Sequence, residues 1–354
     1  MPQVLDIFNN DAFSASTLTR AITIVPNSYG RIRALGLFRD EPIPTTSVIV
    51  AIENGVLNLL PTRPRGGPAS LGTRGRTNLR SFVVPHIPHE DSVLATDVQN
   101  VLALAAGADQ GLESVQGLVN RKLITMRSKH AITLEKLRMD ALKGVIKDYD
   151  GSVLLDIFGA FGVTEKVVDF ALGTATTDIV GKCREISGYM EDNLQGETMT
   201  SVHALCSPEW MAKFVSHPKF IESYKYYARS GLDPLTADTR AGFPFQGITF
   251  EEYRGSASYM REDGTRSTPE RFVPAGEVRF FPLGTGDTFT NYWAPPDFWS
   301  SANVAPTVGT PDAEVFVAPL EPKKFGKGMD IHTESNPLPL VKRPALLVRG
   351  ITSN

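Results

Sequence analysis

Asp109 to Lys143 reads DQGLESVQGLVNRKLITMRSKHAITLEKLRMDALK and contains no proline. Leu112, Val115, Val119, Met126, Leu134, Leu137 and Ala141 recur at steps of three, four, seven or eight. That spacing lines one face of an α-helix with apolar side chains. At 1.5 Å per residue the helix would reach roughly 50 Å, where globular helices average about 11–12 residues. Its second half is basic, with Arg121, Lys122, Arg127, Lys129, Lys136, Arg138 and Lys143 against Glu135 and Asp140. The apolar stripe does not keep strict heptads, so a single helix lying across a sheet is expected rather than a coiled coil.

Working outward, a shorter helical stretch begins near Ser92, runs through Asp97–Ala106 and breaks at Gly107. On the other side, Gly144–Asp150 and Ser152–Phe158 read as two strands joined by an Asp-Gly turn. Further upstream, Thr46–Ile52 is rich in β-branched residues, Asn54-Gly55 is a turn signal, and Val56–Leu60 answers the first run. Pro61 to Arg80 then breaks all pattern. Arg63, Arg65, Arg74, Arg76 and Arg80 stand there among glycines with no acid. Thr77–Val84 reads as a strand closed by Pro85-His-Ile-Pro88, so the whole segment predicts a protruding loop. Residues 1–45 read as an extended arm whose Phe8, Phe13, Leu18, Ile22 and Ile24 need a surface to lie on. Ala34–Phe38 within it suits either a strand or an arm segment.

Beyond residue 165 the pattern is mixed α/β. Thr177 or Asp178 caps a helix that runs to Leu194 and is ended by Gly196. Ser201–Cys206 is a short strand, and Ser207-Pro208 starts a helix as a cap followed by proline at the first position. A second helix starts at His217-Pro218. Strands follow at Ile248–Tyr253, Glu277–Phe281, Val315–Val317, Met329–Thr333 and Pro344–Val348.

The chain has 354 residues, a hydrophobic share of 42% and a charged share of 21%. That is ordinary for a globular protein and excludes wholesale disorder. The net charge is −3 and the pI is near 6.1, which argues against a dedicated nucleic-acid binder. The 30 glycines and 25 prolines exceed the usual combined share of about 12% and fit long loops and arms. Cys183 and Cys206 cannot build a disulfide framework and read as reduced, buried thiols. The N-terminus lacks the basic and apolar regions of a signal peptide. No run approaches the ~20 apolar residues that span a bilayer, so an intracellular protein without membrane contact is expected.

Chemistry-bearing motifs are missing. The sequence holds no phosphate-cradling P-loop, dinucleotide fingerprint, nucleophile elbow or zinc-binding pattern. His86, His89, Glu90 and Asp91 are the densest metal-like group, but Pro85 and Pro88 make the segment extended rather than one helical face. Cys183 or Cys206 with His203 would need a spatial adjacency that sequence does not give. Catalytic residues, cofactor and metal are therefore all expected to be none. The arginines Arg63, Arg65, Arg74, Arg76 and Arg80 suit contact with an acidic partner. That partner is another copy of the chain or a nucleic acid, and a merely solvated loop is the bland alternative. Glu185, Glu191, Asp192 and Glu197 cluster near one helix end and offer acid for a head-to-tail contact.

The order of parts, an arm, a protruding hairpin, a long helix, a strand pair and an α/β region, resembles the HK-97-type fold of tailed-phage major capsid proteins. Phe82-Val-Val-Pro-His-Ile-Pro-His-Glu-Asp91 followed by Asp97-Val-Gln-Asn100 narrows the likeness to the phage major capsid protein E family. Tyr292-Trp-Ala-Pro-Pro-Asp297, Glu334-Ser-Asn-Pro-Leu-Pro-Leu340 and Arg343-Pro344 carry it as well. The resemblance spans roughly residues 5–350.

It implies an α+β chain with an N-terminal arm at 1–45, an extended loop at 46–92 and a peripheral domain with its spine helix at 93–160. An axial domain at 161–315 and returning C-terminal strands at 316–354 complete it. It also implies a structural protein, not an enzyme, whose pentamers and hexamers form an icosahedral shell around double-stranded DNA, without sequence-specific binding. Expected partners are a portal protein, a separate scaffolding protein, since the arm begins at the first residue, and a decoration protein. Location would be the virion capsid after assembly in the host cytoplasm. The arginines of the extended loop would make inter-subunit contacts. An encapsulin-like compartment shell and an α/β enzyme are the rival readings.

Overall fold

The computed structural model describes residues 30–53, 77–104, 108–194, 196–227, 242–259, 265–298 and 314–353. The expected arm side chains Phe8 to Ile24, the Asn54-Gly55 turn, Val56–Leu60 and the Gly107 break lie outside them.

In chain order, the first elements are helix α1 (Arg31–Ala34) and strand β1 (Arg39–Pro42), where the sequence suggested one strand or arm segment at 34–38. β2 (Ser47–Glu53) pairs with β3 (Thr77–Val83), while the expected partner run Val56–Leu60 lies outside the described residues. β4 (Ile87–Leu94) is a strand where a closing Pro-rich loop and a helix start were expected. Its partner explains this: an eight-residue antiparallel register with a strand near the C-terminus satisfies its backbone. Helix α2 (Ala95–Leu104) and the long helix α3 (Ala108–Leu142) follow.

Next come β5 (Val145–Lys147) and β6 (Val153–Asp156), a two-stranded ribbon, and α4 (Ile157–Phe161). The second strand was expected to reach Phe158. Asp156 ends it by accepting the Gly159 amide at 3.0 Å as a helix cap. β7 (Lys166–Asp169) leads to α5 (Ile179–Asn193), capped by Asp178 through the Gly181 amide at 2.9 Å. β8 (Ser201–Cys206) leads to α6 (Pro208–Ser216), capped by Ser207, and α7 (Pro218–Tyr227). The strands β9 (Phe243–Phe245), β10 (Ile248–Glu252), β11 (Ser256–Ala257), β12 (Glu270–Arg271), β13 (Glu277–Leu283) and β14 (Phe289–Trp293) come next. β15 (Phe316–Val317), β16 (Glu321–Pro322), β17 (Gly328–Ser335), β18 (Pro337–Val341) and β19 (Val348–Ile351) complete the chain. Pro344–Leu346 forms a 3-10 turn instead of the expected strand, because Pro344 lacks an amide and Leu347 turns back onto its carbonyl.

The chain divides into two compact units. The first comprises Met1–Val48, Phe82–Glu135 and Thr290–Pro339. In it, β4 pairs with β17, which pairs with β15 and β16. The predicted helical stripe packs on this sheet: Val115, Val119, Leu123 and Met126 meet Val93, Val317, Met329 and Ile331 in one buried cluster. This is a single helix across a sheet, as its spacing predicted.

The second unit comprises Ile49–Ser81, Lys136–Phe289 and Leu340–Asn354. Its sheet runs β7-β19-β13-β8-β10-β9, with β8 parallel to β10 and antiparallel to β13. An aromatic core sits against it. Phe214 stacks on Trp210 and on Phe250, each with ring centroids at 4.7 Å, and also meets Phe220 at 5.1 Å. All four are essentially without solvent exposure. Burying aromatic side chains of this size supplies a large share of such a domain's stability.

Candidate assembly surfaces

The β2–β3 hairpin is anchored at its base by the Val84 amide donating to the Thr46 carbonyl at 3.0 Å. Along the strands burial alternates. Val48, Val50, Phe82 and Val84 are buried, while Ile49, Leu79 and Val83 are 66%, 69% and 78% exposed. Successive strand residues face opposite sides, so one side of the hairpin is bare aliphatic surface. An isolated two-stranded hairpin with an exposed apolar side is marginal in water. Arg80 lies on β3 and is exposed. Arg63, Arg65, Arg74 and Arg76 lie outside the described residues.

The β5–β6 ribbon also presents apolar side chains outward. Tyr149, Val153 and Leu154 are 54%, 58% and 46% exposed, while Ile146 is buried. Tyr149 meets Tyr259 edge-on at 5.5 Å. In the connecting turn, Asp150 accepts from the Ser152 amide at 2.8 Å and from its hydroxyl at 2.6 Å. The hydroxyl bond holds the Asp150 carboxyl below its usual range, so the turn is anionic at neutral pH.

The acidic group expected around α5 is dispersed by the structure. Glu197 accepts from the Asp287 amide and the Thr288 hydroxyl and pairs with Arg343 at 2.8 Å. Glu185 is held by Lys166 at 2.8 Å, which lowers its carboxyl below the usual range. Glu191 and Asp192 remain exposed. As a four-residue partner surface the cluster does not exist, because two members serve internal structure.

The His86–Asp91 segment is dispersed in the same way. The alternation of β4 turns His89 and Asp91 toward α3, where His89 Nε2 lies 3.1 Å from Lys129 Nζ and Asp91 pairs with Lys122 at 2.9 Å. Glu90 meets His332 Nδ1 at 3.0 Å, and His86 Nδ1 lies 2.9 Å from Asn336 Oδ1. Among the described residues no group of three or more His, Cys, Asp or Glu is placed to hold a metal. Burial pushes the Cys183 thiol up to about 12 and Cys206 well above its usual value, so neither is an activated nucleophile. His203 faces Glu251 at 3.1 Å. No described helix is long and apolar enough to cross a membrane.

The sequence singles out Arg80, which stands exposed on β3, but does not reveal the aliphatic faces of the hairpin and of the ribbon. β-branched runs signal strands, and the sequence alone does not say which side is left bare.

The family model for phage major capsid protein E matches residues 14–352. The major capsid protein of Pseudomonas phage KPP10 is 32% identical over 354 aligned residues, covering 96% of each chain. The major capsid protein of Salmonella phage Felix O1 is 27% identical over 359 aligned residues, covering 95% of each. In fold, the chain is similar to a subunit in the asymmetric unit of the bacteriophage PhiM1 mature capsid. The TM-score is 0.52 at 13% identity, covering 93% of this chain and 88% of that one.

Proposed function

The chain belongs to the phage major capsid protein E family and is a capsid subunit, and from that premise we propose that its β2–β3 hairpin reaches over a neighbouring copy to build the head of a tailed phage. The observation that carries this reading is the bare aliphatic side of the hairpin, with Ile49 and Leu79 both about two-thirds exposed. Such a surface is covered when copies meet, and repeated modest contacts around symmetry axes make a stable shell.

In this reading the sheet of β4, β15, β16 and β17 under α3 is the peripheral domain, and the six-stranded sheet with its aromatic core is the axial domain. Residues 1–45 form the arm. The extended loop, expected over 46–92, is taken in this reading to end near Val84, since β4 pairs with β17. Pentamers and hexamers of the chain enclose double-stranded DNA without reading its sequence. A net charge of −3 suits that role, since packed DNA is neutralised mainly by small cations. A portal protein, a separate scaffolding protein and a decoration protein complete the head, which is assembled in the host cytoplasm. The role is structural and involves no catalysis.

Electron microscopy of the purified protein under assembly conditions tests the reading. Closed shells with five- and six-fold clusters are expected. A protein that stays monomeric across concentration, salt and crowding, with or without its scaffolding protein, would overturn it.

A further inference from the structure

One aromatic side chain stands almost wholly in water. Phe325, in the turn between β16 and β17, is 92% exposed, so no part of the described subunit covers its ring. It also holds a left-handed backbone, with φ +64. Residues with a Cβ seldom adopt that conformation, and such outliers collect where a surface is used.

The turn is nonetheless rigid. The Lys323 amide donates to the Gly328 carbonyl at 2.8 Å, and the Gly326 amide donates to the Lys323 carbonyl at 3.0 Å. The Ala95 amide, which follows β4, donates to the Lys327 carbonyl at 3.0 Å, and Lys323 Nζ pairs with Asp330 at 3.0 Å. Gly328 stands opposite Leu94 and leaves no room for a Cβ against the Val93 carbonyl. The turn is therefore pressed onto the end of β4, where Leu94 is itself 42% exposed. The result is a fixed knob, with a ring at its tip and Lys324 and Lys327 exposed beside it. A knob already ordered loses little entropy when it is covered.

The same chain carries a described surface of like polarity and opposite charge. On the β5–β6 ribbon Tyr149, Val153 and Leu154 are about half exposed. Val153 and Leu154 are consecutive and face opposite sides of the strand, so the ribbon is bare on both. It is held from beneath by the buried Ile146 and by Lys136 Nζ, which donates to the Lys147 carbonyl at 2.8 Å. Residues 323–327 hold three lysines and no acid; residues 148–152 hold Asp148 and Asp150 and no base.

We propose that the Phe325 turn of one copy seats on the β5–β6 ribbon of a second copy, with the ring against Tyr149 and Leu154 and with Lys324 and Lys327 toward Asp148 and Asp150. This rests on the shell-forming reading of the chain and makes no use of the hairpin. A second copy is favoured over enclosed DNA because a duplex would meet the lysines but keeps its base faces stacked, leaving the ring in water. The ribbon takes up the ring and the charges together. Two different patches meeting in this way make a heterologous contact, which runs on from copy to copy rather than stopping at a pair.

Footprinting and cysteine pairs test the seat. Wild-type shells and dissociated subunits are compared by hydroxyl-radical labelling, and Phe325, Tyr149 and Leu154 should each lose at least half of their labelling on assembly, with or without DNA inside. In parallel, Phe325→Cys is combined with Tyr149→Cys, Val153→Cys or Leu154→Cys, assembled, oxidised and run on a denaturing gel without reductant. The native Cys183 and Cys206 are both buried, so background cross-linking is low. Covalent oligomers are expected from at least one pair and from no single variant. Phe325→Gly removes the ring and relieves the left-handed strain together, so the subunit's urea midpoint should hold or rise while the concentration needed to form shells rises several-fold. Equal labelling of the three residues in both states, or shells with no oligomers from any pair, overturns the seat. So does protection of Phe325 only in DNA-filled shells, which makes DNA the occupant, or cross-linking by Phe325→Cys alone, which makes it the same turn of another copy. All of these leave the shell reading standing, whereas absence of wild-type particles overturns that reading itself.

Discussion

His130 Nε2 lies 3.0 Å from the Thr333 hydroxyl, and that hydroxyl donates to the His89 carbonyl at 3.0 Å. The single hydroxyl proton is thus committed to the carbonyl, so His130 must donate from Nε2. The contact ties the long helix α3 to β17, with both side chains buried. His130 is only 5% exposed, and burial, together with the positive charge of His89, His332 and Lys129, lowers its pKa to about 4.

A pH dependence follows. Unfolded, the imidazole titrates near 6.5; folded, it stays neutral down to about 4. Between those values the unfolded chain binds the extra proton, so stability falls as pH falls, by about 3 kcal/mol in all. His89, lowered by burial and by Lys129, acts in the same direction. Asp91 and Glu185, whose carboxyls lie below their usual range, lose their contribution only further into acid. Urea midpoints of unassembled subunits measured from pH 7 to 4.5 should therefore drop, and His130→Gln should flatten most of the slope. An unchanged slope in that variant refutes the assignment.

Gly144, just before the β5–β6 ribbon, and Gly151, in its turn, separate conformational strain from steric overlap. Gly144 has φ +80 and a Cβ there would overlap the Phe158 ring, whereas Gly151 has φ +88 and open space around it. Gly151→Ala should cost about 1 kcal/mol, the left-handed backbone penalty alone. Gly144→Ala adds an overlap that only repacking relieves and should cost more than about 3 kcal/mol. Thermal unfolding of the two variants side by side checks the order.

Phe214 touches Trp210, Phe220, Phe245 and Phe250 at ring-centroid distances of 4.7 to 5.6 Å. Phe214→Ala should leave a cavity that this stacked cluster cannot close and cost about 3–5 kcal/mol. Chemical denaturation reads the loss directly. A cost below about 1 kcal/mol would mean that the cluster is not the well-packed core described above.

The features that were legible in the sequence are those written locally. The stripe from Val115 to Ala141 needs only its own spacing, and Asp178 and Ser207 cap helices through amides three residues on. What stayed hidden depends on distant partners. β4 contains Pro88 and reads as a loop until β17, some 240 residues later, pairs with it. β18 reads PLPLV, all buried, and β1 is a strand because it lies parallel to β14, with Asp40 accepting from Asn291 Nδ2 and Trp293 Nε1. Glu135 shows the same limit. On the sequence it is one acid on a basic helix, yet its Oε1 accepts the Ile32 amide at 3.0 Å and serves the start of α1. For the proposed assembly surface, five arginines without an acid mark the loop in the sequence, but which side of its strands is bare is a property of the folded hairpin.

The loop arginines give the last prediction. Replacing Arg74, Arg76 and Arg80 together by Ala removes three positive charges from a segment that carries no acid. Arg80 is exposed on β3, and exposed residues away from special features seldom shift stability by more than about 0.5 kcal/mol. The subunit should therefore keep its unfolding midpoint. Assembly should respond differently, because each charge is repeated in every copy of the shell. A loss of about 0.5 kcal/mol per contact weakens every junction of a ring at once, so the concentration needed to form shells should rise several-fold. Raising the salt should weaken wild-type assembly more than that of the triple variant, since screening acts on charges the variant lacks. Sedimentation or light scattering across a concentration series reads the threshold, and far-ultraviolet circular dichroism confirms the fold. Shells that form at the wild-type concentration with the wild-type salt response would remove these arginines from the contact.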